Sequence, residues 1–168
     1  MHALYELSVW LHILAMTVWL GGMFFLVLVV VPWLRTGDRM NAAALIQETG
    51  ERFRTVGWVA LLLAFATGVF NLWRRGVGLS DLLRPAWRAS PMGRAVLWKL
   101  ALFTSVLLVS AVHDFNLGPR ATNAMQLAPD SPRAQGLRRT ARWMGRVNML
   151  LGLALVALGV ILVRGWPT

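Results

Sequence analysis

The sequence predicts an all-α integral membrane protein, a bundle of four helices that run alternately up and down across the bilayer. Four apolar runs, at about residues 5–34, 55–75, 92–115 and 143–164, are each long enough to cross a hydrocarbon layer of ~30 Å. In addition, 57% of the residues are hydrophobic and only 14% are charged, and most charged residues fall between the runs. We therefore expect a single four-span transmembrane domain, 1–168, with no room for a second domain.

The first span contains one titratable side chain in its apolar interior, the imidazole of His12. The apolar run is too long for the core of a signal peptide, and no Lys or Arg precedes it, so we expect a retained helix. A titratable group in hydrocarbon is costly unless it is paired or coordinated, which makes His12 the first candidate for a functional residue.

Signals between the runs predict how the later helices begin and end. Asp38 is a suitable cap for a helix that starts at about Arg39 and continues into the second span. Ser80-Asp81 predicts a short helix at the membrane surface, and Ser90-Pro91 predicts the start of the third span. The connection before the fourth span is expected to be the loosest segment because it contains Pro119, Pro129 and Pro132.

The net charge of +10 comes from sixteen arginines and one lysine, and it predicts contact with the lipid bilayer and no binding of nucleic acid. The connections on one side of the membrane hold ten arginines and the opposite side holds six. This difference favours an orientation with both termini outside the cytoplasm. The expected location is a bacterial cytoplasmic (inner) membrane. Cysteine is absent, which leaves His, Met, carboxylate and carbonyl groups as metal ligands.

Polar or small residues recur at helical spacing on one face of each span, and these faces are expected to point into the bundle. The face of the first span contains Ser8, His12, Met16, Trp19 and Met23. The face of the third contains Lys99, Phe103, Val106, Ser110 and His113. The second and fourth spans carry stripes of small residues, Gly57, Ala64 and Gly68, and Gly145, Gly152 and Gly159. Such stripes permit close helix packing, and they also leave room for a flat ligand.

The depth of the polar residues predicts two sites on opposite leaflets. Because the first and third spans run in the same direction, His12 lies level with Lys99, whereas His113 lies ~21 Å further across the membrane than Lys99. His12 and His113 therefore cannot ligate one ion or one haem within a protomer. The first site gathers His12, Met16, Trp19, Asn71 and Lys99. The second site gathers His113, Asp114, Arg52, Asn148 and Met149.

Each candidate also has a purely structural interpretation. His12 can be a hydrogen-bonded packing residue, and the methionines of the first span can be ordinary core side chains. His113 can be satisfied by Asp114 in an ion pair at a helix end. Lys99 can extend its ammonium group to the membrane surface, although at the depth of His12 it also suits an anionic group such as a haem propionate.

The run Trp10-Leu-His12, followed by Trp19-Leu-Gly21-Gly22-Met23, resembles the first-helix signature shared by the CopD copper-resistance family and the HemJ haem proteins. Similarity to small four-helix CopD-type proteins extends over nearly the whole chain. It includes Arg52-Phe53, Thr67-Gly68, Gly93-Arg94, Lys99-Leu-Ala-Leu, and His113-Asp114-Phe115 with Leu117-Gly118-Pro119-Arg120.

The resemblance implies two kinds of cofactor. In HemJ-like proteins the first-helix histidine, here His12, is an axial haem ligand, whereas CopD proteins are associated with copper handling. The chain differs from HemJ in the interval between Lys99 and His113 and in the segment from Leu26 to Pro32. We therefore do not carry porphyrinogen oxidation over from HemJ.

The resulting interpretation is a membrane protein that binds haem b through His12 and functions in electron transfer or haem handling. The first alternative is a copper-binding or copper-transport protein that uses histidine and methionine. The second is a cofactor-free accessory subunit of a larger membrane complex. The cofactor-binding candidates are His12, Trp19, Asn71, Lys99, His113 and Asp114, and the metal-ligand candidates are His12, Met16, Met23 and His113. The sequence leaves open whether the protein is an enzyme, what its electron donor or substrate is, and whether it forms a homo-oligomer.

Overall fold

The computed structural model describes residues 2–33, 39–128 and 130–164, without the side chains of residues 39–44 and 46. Nearly all of these residues are helical and none of them lies in a β-strand, which confirms the all-α class. Four helical stretches of the described chain are long and apolar enough to cross a membrane, at His2–Trp33, Gln47–Arg74, Pro91–Leu127 and Pro132–Arg164. The protein is therefore an integral membrane protein. Its chain divides into two compact units, Met1–Arg84 and Pro85–Thr168.

The first unit is built on an antiparallel pair of long helices. Its elements are α1 (His2–Phe25), a π-helical turn (Leu26–Val30), α2 (Val31–Trp33), α3 (Arg39–Arg74) and α4 (Leu79–Leu83). The start of α3 agrees with the prediction from the sequence, whereas its predicted cap, Asp38, lies outside the described residues.

Contacts between α1 and α3 define their antiparallel register. Near the start of α1, the guanidinium Nε of Arg75 donates a hydrogen bond to the hydroxyl of Tyr5 at 3.2 Å. Near its end, the ring of Phe53 occupies the space that a side chain at Gly22 would need. Small side chains such as Ala15 and Ala64, which are 3% and 2% exposed, allow the two backbones to approach closely.

The end of α3 is a helix stop of the Schellman type. Gly76 adopts a φ of 79°, a left-handed conformation that is strained for residues with a Cβ atom. Its N–H donates to the carbonyl of Trp73, and the N–H of buried Val77 donates to the carbonyl of Leu72. The short helix predicted at Ser80-Asp81 follows as α4, and the Asp81 carboxylate accepts a 2.8 Å hydrogen bond from the Gly78 N–H.

The second unit is built on a second antiparallel pair. Its elements are α5 (Pro85–Ala89), α6 (Pro91–Val112), a π-helical turn (His113–Leu117), α7 (Gly118–Leu127) and α8 (Pro132–Arg164). The predicted start of α6 is confirmed, because the Ser90 hydroxyl accepts a 3.0 Å hydrogen bond from the Gly93 N–H and Pro91 occupies the first turn. The register of α6 against α8 follows from a contact of Ser110 with Asn148 and an approach of Lys99 to Gly159.

Each π-helical turn ends two residues before a proline within a continuous helix, Pro32 in one case and Pro119 in the other. Proline has no N–H, and its ring clashes with the carbonyl four residues earlier, so a wider turn lets the helix continue past it. The prediction that Pro119 belongs to a loose connection is therefore wrong, because the helix runs through it to Leu127.

The outer faces of the long helices carry large apolar side chains, which is expected where a helix meets lipid and not water. Examples are Leu62 on α3 at 63% exposed, Leu108 on α6 at 63% and Leu150 on α8 at 60%. Most of the apolar surface of these helices is thus available to hydrocarbon, and the polar side chains in the interior of each pair become the features that need an explanation.

Candidate functional site

The interior of the α1–α3 pair contains a hydrogen bond between His12 and Thr67. Nδ1 of His12 lies 3.0 Å from Oγ1 of Thr67, near the middle of α1 and about two turns before the end of α3. Thr67 is only 7% exposed, so its hydroxyl is largely shielded from bulk solvent. The two residues come together because α1 and α3 are antiparallel, which brings position 12 of one helix opposite positions 67 and 68 of the other.

The hydroxyl of Thr67 determines which ring nitrogen of His12 carries the proton. Oγ1 of Thr67 lies 2.6 Å from the carbonyl oxygen of Leu63, one turn earlier in α3, and 3.2 Å from that of Ala64. A hydroxyl has one proton, and an oxygen pair at 2.6 Å requires that the proton lie between the two atoms. The hydroxyl therefore donates to Leu63 and accepts from His12, so the neutral imidazole is protonated at Nδ1 and has its lone pair at Nε2.

Gly68 provides the space that the imidazole occupies. A Cβ atom at this position would lie 3.3 Å from Cε1 of His12, closer than side chains normally pack, and 3.7 Å from its Nδ1, an ordinary contact distance. Thr67 and Gly68 thus act together, one as the hydrogen-bond acceptor and the other as the cradle of the ring. The spacing in the sequence predicts Gly68 as part of a stripe of small residues, but it gives no signal for the contact of Thr67 with His12.

The other α1 candidates continue along the same face of the helix. Met16 is half-buried one turn after His12, and Trp19 is 3% exposed and packs over Gly57. Met23 is 8% exposed near the end of α1. Because α1 is an uninterrupted α-helix, Met23 lies ~16 Å along the axis from His12, so the two side chains are at different levels.

Asn71 and Ser8 lie one turn from His12 and Thr67, on the side of the Tyr5–Arg75 contact. The Oδ1 atom of Asn71 and the hydroxyl oxygen of Ser8 are buried, and neither has a hydrogen-bond partner among the described residues. Asn71 is a predicted member of the first site, whereas the helical spacing predicts for Ser8 only a position on the inward face of α1.

Lys99, the remaining candidate of the first site, lies on α6 in the second unit. Its Nζ atom is 3.8 Å from the position of a Cβ at Gly159, so the stem of the lysine crosses α8 where that helix has no side chain. The proposed alignment of Lys99 with His12 joins residues of the two units, and it stays a prediction.

The second predicted site contains a hydrogen-bonded pair, His113 and Asp114, within the π-helical turn. Nδ1 of His113 lies 2.9 Å from a carboxylate oxygen of Asp114, and the two side chains are 36% and 23% exposed. The helix does not end here as the sequence suggested, because α7 continues it. Asn148 contacts Ser110, one turn before His113, through a 2.9 Å hydrogen bond from its amide to the hydroxyl.

Arg52, which was predicted to join this second site, forms an ion pair with Glu48 on the surface of α3. The two groups are 2.6 Å apart, and their side chains are 80% and 62% exposed. No group of three or more His, Cys, Asp or Glu side chains within the described ranges could hold a metal ion. A metal site in this part of the chain would therefore need methionine, amide or carbonyl ligands in addition to a histidine.

Comparison with known proteins places the chain in a family. The sequence model of the CopD family, copper resistance protein D, matches residues 47–162, from α3 to α8. An uncharacterized protein of Aquifex aeolicus (strain VF5) is 33% identical over 162 residues, which are 96% of each chain. No solved structure matches the chain. The match to the family model covers well over half of the residues, and this chain accordingly belongs to the CopD family of membrane proteins.

Proposed function

We propose that this protein handles copper within the membrane and that Nε2 of His12 is a copper ligand. The observation that carries the proposal is the hydrogen bond from His12 to Thr67, which leaves the lone pair of the ring on Nε2. Metal-binding histidines commonly donate their other ring N–H to an oxygen, because this bond fixes both the tautomer and the ring orientation. Membership of the CopD family supports copper as the metal.

The donor chemistry of α1 favours copper(I). Met16 follows His12 by one helical turn on the same face, and thioether sulfur and imidazole nitrogen are both suitable donors for this soft ion. In this arrangement His12 and Met16 bind the ion and Thr67 orients His12. Met23 lies at a different level of the same face, so we propose it as a separate donor further along α1 and not as a third ligand of the same ion.

Copper(I) binding to the metal-free full chain in lipid nanodiscs tests this proposal. The measurement is a competition titration against a chromophoric copper(I) chelator. We expect about one tightly bound equivalent, lost in His12→Ala and weakened in Met16→Leu, because leucine retains the volume of methionine without the sulfur. Met92→Leu, at an exposed methionine of α6, is the matched control and should bind copper as the parent does. Unchanged affinity in His12→Ala would overturn the proposal.

Haem b is the second candidate, and the same hydrogen bond supports it. A single histidine whose Nδ1–H is held by an oxygen is also a suitable axial ligand of haem, with the other axial position open or filled by a methionine or by a second protomer. An absorption spectrum of the protein purified in detergent, before and after dithionite, distinguishes the two candidates. If the protein shows a haem spectrum that disappears in His12→Ala and retains no copper, haem b and not copper is the cofactor at His12. A protein with neither group would favour the accessory-subunit alternative.

Two further variants apply if haem is present. Lys99→Met should weaken haem retention more than Lys99→Arg, because only arginine keeps a cation that can neutralise a propionate. His113→Ala should halve the haem content if a second haem binds near Asp114. If the pair has only its structural role, the variant should leave the haem content unchanged.

We further propose that both termini lie outside the cytoplasm, in a bacterial inner membrane. The support is the larger number of arginines in the connections before α3 and before α8. The chain contains no cysteine, so a cysteine introduced at Ala3 can be labelled without background. Labelling of Ala3→Cys by a membrane-impermeant thiol reagent in right-side-out vesicles should succeed. Labelling only after the vesicles are opened would reverse the orientation.

A further inference from the structure

Three pairs of polar residues connect the start of α1 with His12, one pair on each successive turn. Tyr5 and Arg75 form the outermost pair, through their 3.2 Å hydrogen bond, and His12 with Thr67 forms the innermost pair. Ser8 lies three residues after Tyr5 and four before His12. Asn71 lies four residues from both Arg75 and Thr67, and it therefore faces Ser8 between the other two pairs.

The middle pair has two buried polar atoms that the described residues do not satisfy. Ser8 is 8% exposed, and its hydroxyl oxygen has no hydrogen-bond partner among the described residues. The same is true of the Oδ1 atom of Asn71. A buried donor and a buried acceptor that both lack partners are destabilising in an apolar surrounding, and they are commonly explained by an ordered water molecule. One water can accept from the serine hydroxyl and donate to the amide oxygen.

We propose that Ser8 and Asn71 line a narrow hydrated path that leads from the membrane surface at Tyr5 and Arg75 to His12. Arg75 is exposed, so the outer end of the path meets bulk water. At the inner end, side chains on a helix incline toward its N-terminus, which directs the imidazole of His12 toward the turn that contains Ser8. The path lets water and protons reach a histidine that lies deep in an apolar helix.

This inference goes beyond the metal proposal and does not depend on it. It predicts that the path is hydrated in the metal-free protein, so a failure of copper or haem binding leaves it untouched. Conversely, a result that shows no hydration of the path would not contradict the copper proposal, which the copper titration tests separately. The absence of cysteine from the natural sequence makes a direct test of hydration feasible.

The test measures the reaction rate of single cysteines in the full, metal-free chain in nanodiscs with methanethiosulfonate ethylammonium. Ser8→Cys replaces a hydroxyl by a thiol of similar size. Leu7→Cys is the matched control, since Leu7 is at the same depth but is 51% exposed on the outer face. Ala15→Cys is a buried control beyond His12 on the same helix. Because the reacting species is the hydrated thiolate, Ser8→Cys should react about tenfold faster than either control.

A second substitution shows whether the opposite helix contributes to the path. In the Ser8→Cys background, Asn71→Leu should lower the rate to that of Leu7→Cys, because leucine removes the amide and fills the space. Asn71→Cys, compared with the exposed Val69→Cys at similar depth, gives an independent measurement from α3 if the Ser8→Cys chain does not fold. Rates for Ser8→Cys and Asn71→Cys that do not exceed those of their outer-face controls would overturn the proposal.

Discussion

The two long-helix pairs of this protein share a packing plan but use their interior polar groups differently. Each pair is antiparallel and has a hydrogen bond across its interior, His12 with Thr67 in α1–α3 and Asn148 with Ser110 in α6–α8. Only the first bond involves a titratable side chain, His12, whose second ring nitrogen, Nε2, is a suitable metal ligand. In this protein the bond donated by the Asn148 amide joins two helices, whereas the bond donated by the His12 imidazole also fixes the tautomer and leaves the lone pair of the ring on Nε2.

The position of the second interior histidine strengthens this contrast. His113 lies in a π-helical turn, is about one-third exposed, and contacts the carboxylate of its neighbour Asp114. Its partner is thus adjacent in sequence and does not come from the opposite helix, so the contact does not position the ring between two helices. We therefore propose that the α1–α3 pair, and not the α6–α8 pair, binds the metal.

The largest difference is expected between the two histidine substitutions. His12→Ala should lower copper(I) affinity by more than about hundredfold, because it removes a ligand and not merely a residue that orients one. His113→Ala should leave copper affinity within the error of the measurement. Both are measured by chelator competition on chains whose helical circular dichroism equals that of the parent. An equal loss in both variants would contradict the proposed difference between the pairs.

The next largest difference in copper affinity is expected when the acceptor hydroxyl of each interhelical bond is removed, Thr67 in one pair and Ser110 in the other. Thr67→Val keeps the shape of the side chain but removes the acceptor of His12, and should weaken copper binding by about 10- to 100-fold. Ser110→Ala removes the acceptor of Asn148 and should cost about 0.6 kcal/mol of stability, the average for such bonds in membranes, without changing copper affinity. Copper titration and thermal unfolding in detergent give the two readouts. Parental copper affinity in Thr67→Val would exclude an orienting role for this threonine.

A smaller difference in copper affinity is expected between substitutions of Gly68, which lies against His12, and of Gly159, which lies against Lys99. In Gly68→Ala the new methyl group would lie 3.3 Å from Cε1 of His12, so the ring must shift, and copper affinity should fall about fivefold. In Gly159→Ala the methyl group would lie 3.8 Å from Nζ of Lys99, which is an ordinary contact, and no effect is expected. Both variants are assayed by the same titration. A larger loss in Gly159→Ala than in Gly68→Ala would place the ligand in the second unit.

The smallest effect is expected from Asp114→Asn. This change removes the charge that faces His113 while it keeps the size of the side chain, and partly exposed pairs of this kind contribute about 0–1 kcal/mol. Thermal unfolding should therefore change little and copper binding not at all. Loss of a bound haem or metal in this variant would instead identify the His113–Asp114 pair as a ligand site.

The sequence predicted the long helices well because their signal is physical and local. An apolar run of sufficient length must form a helix in hydrocarbon, where no water can satisfy its backbone groups. The cap at Ser90 and the short helix at Leu79–Leu83 were likewise predicted from a few adjacent residues. The sequence did not predict that the helix continues through Pro119, because a proline after an apolar run is also typical of a helix end.

The sequence by itself thus determined the class of the protein and its membrane spans, and it identified His12 as a candidate functional residue, since a titratable group in an apolar run is conspicuous in any register. Only the tertiary structure decided that Thr67 accepts from His12, that Gly68 makes room for the ring, and that the polar atoms of Ser8 and Asn71 are buried without a partner among the described residues. The physical reason is that these contacts depend on how two helices distant in sequence align along their axes. A shift of α3 by one residue would rotate its facing side chains by ~100° and shift them by ~1.5 Å, and thereby separate these partners without altering the apolar pattern of either span.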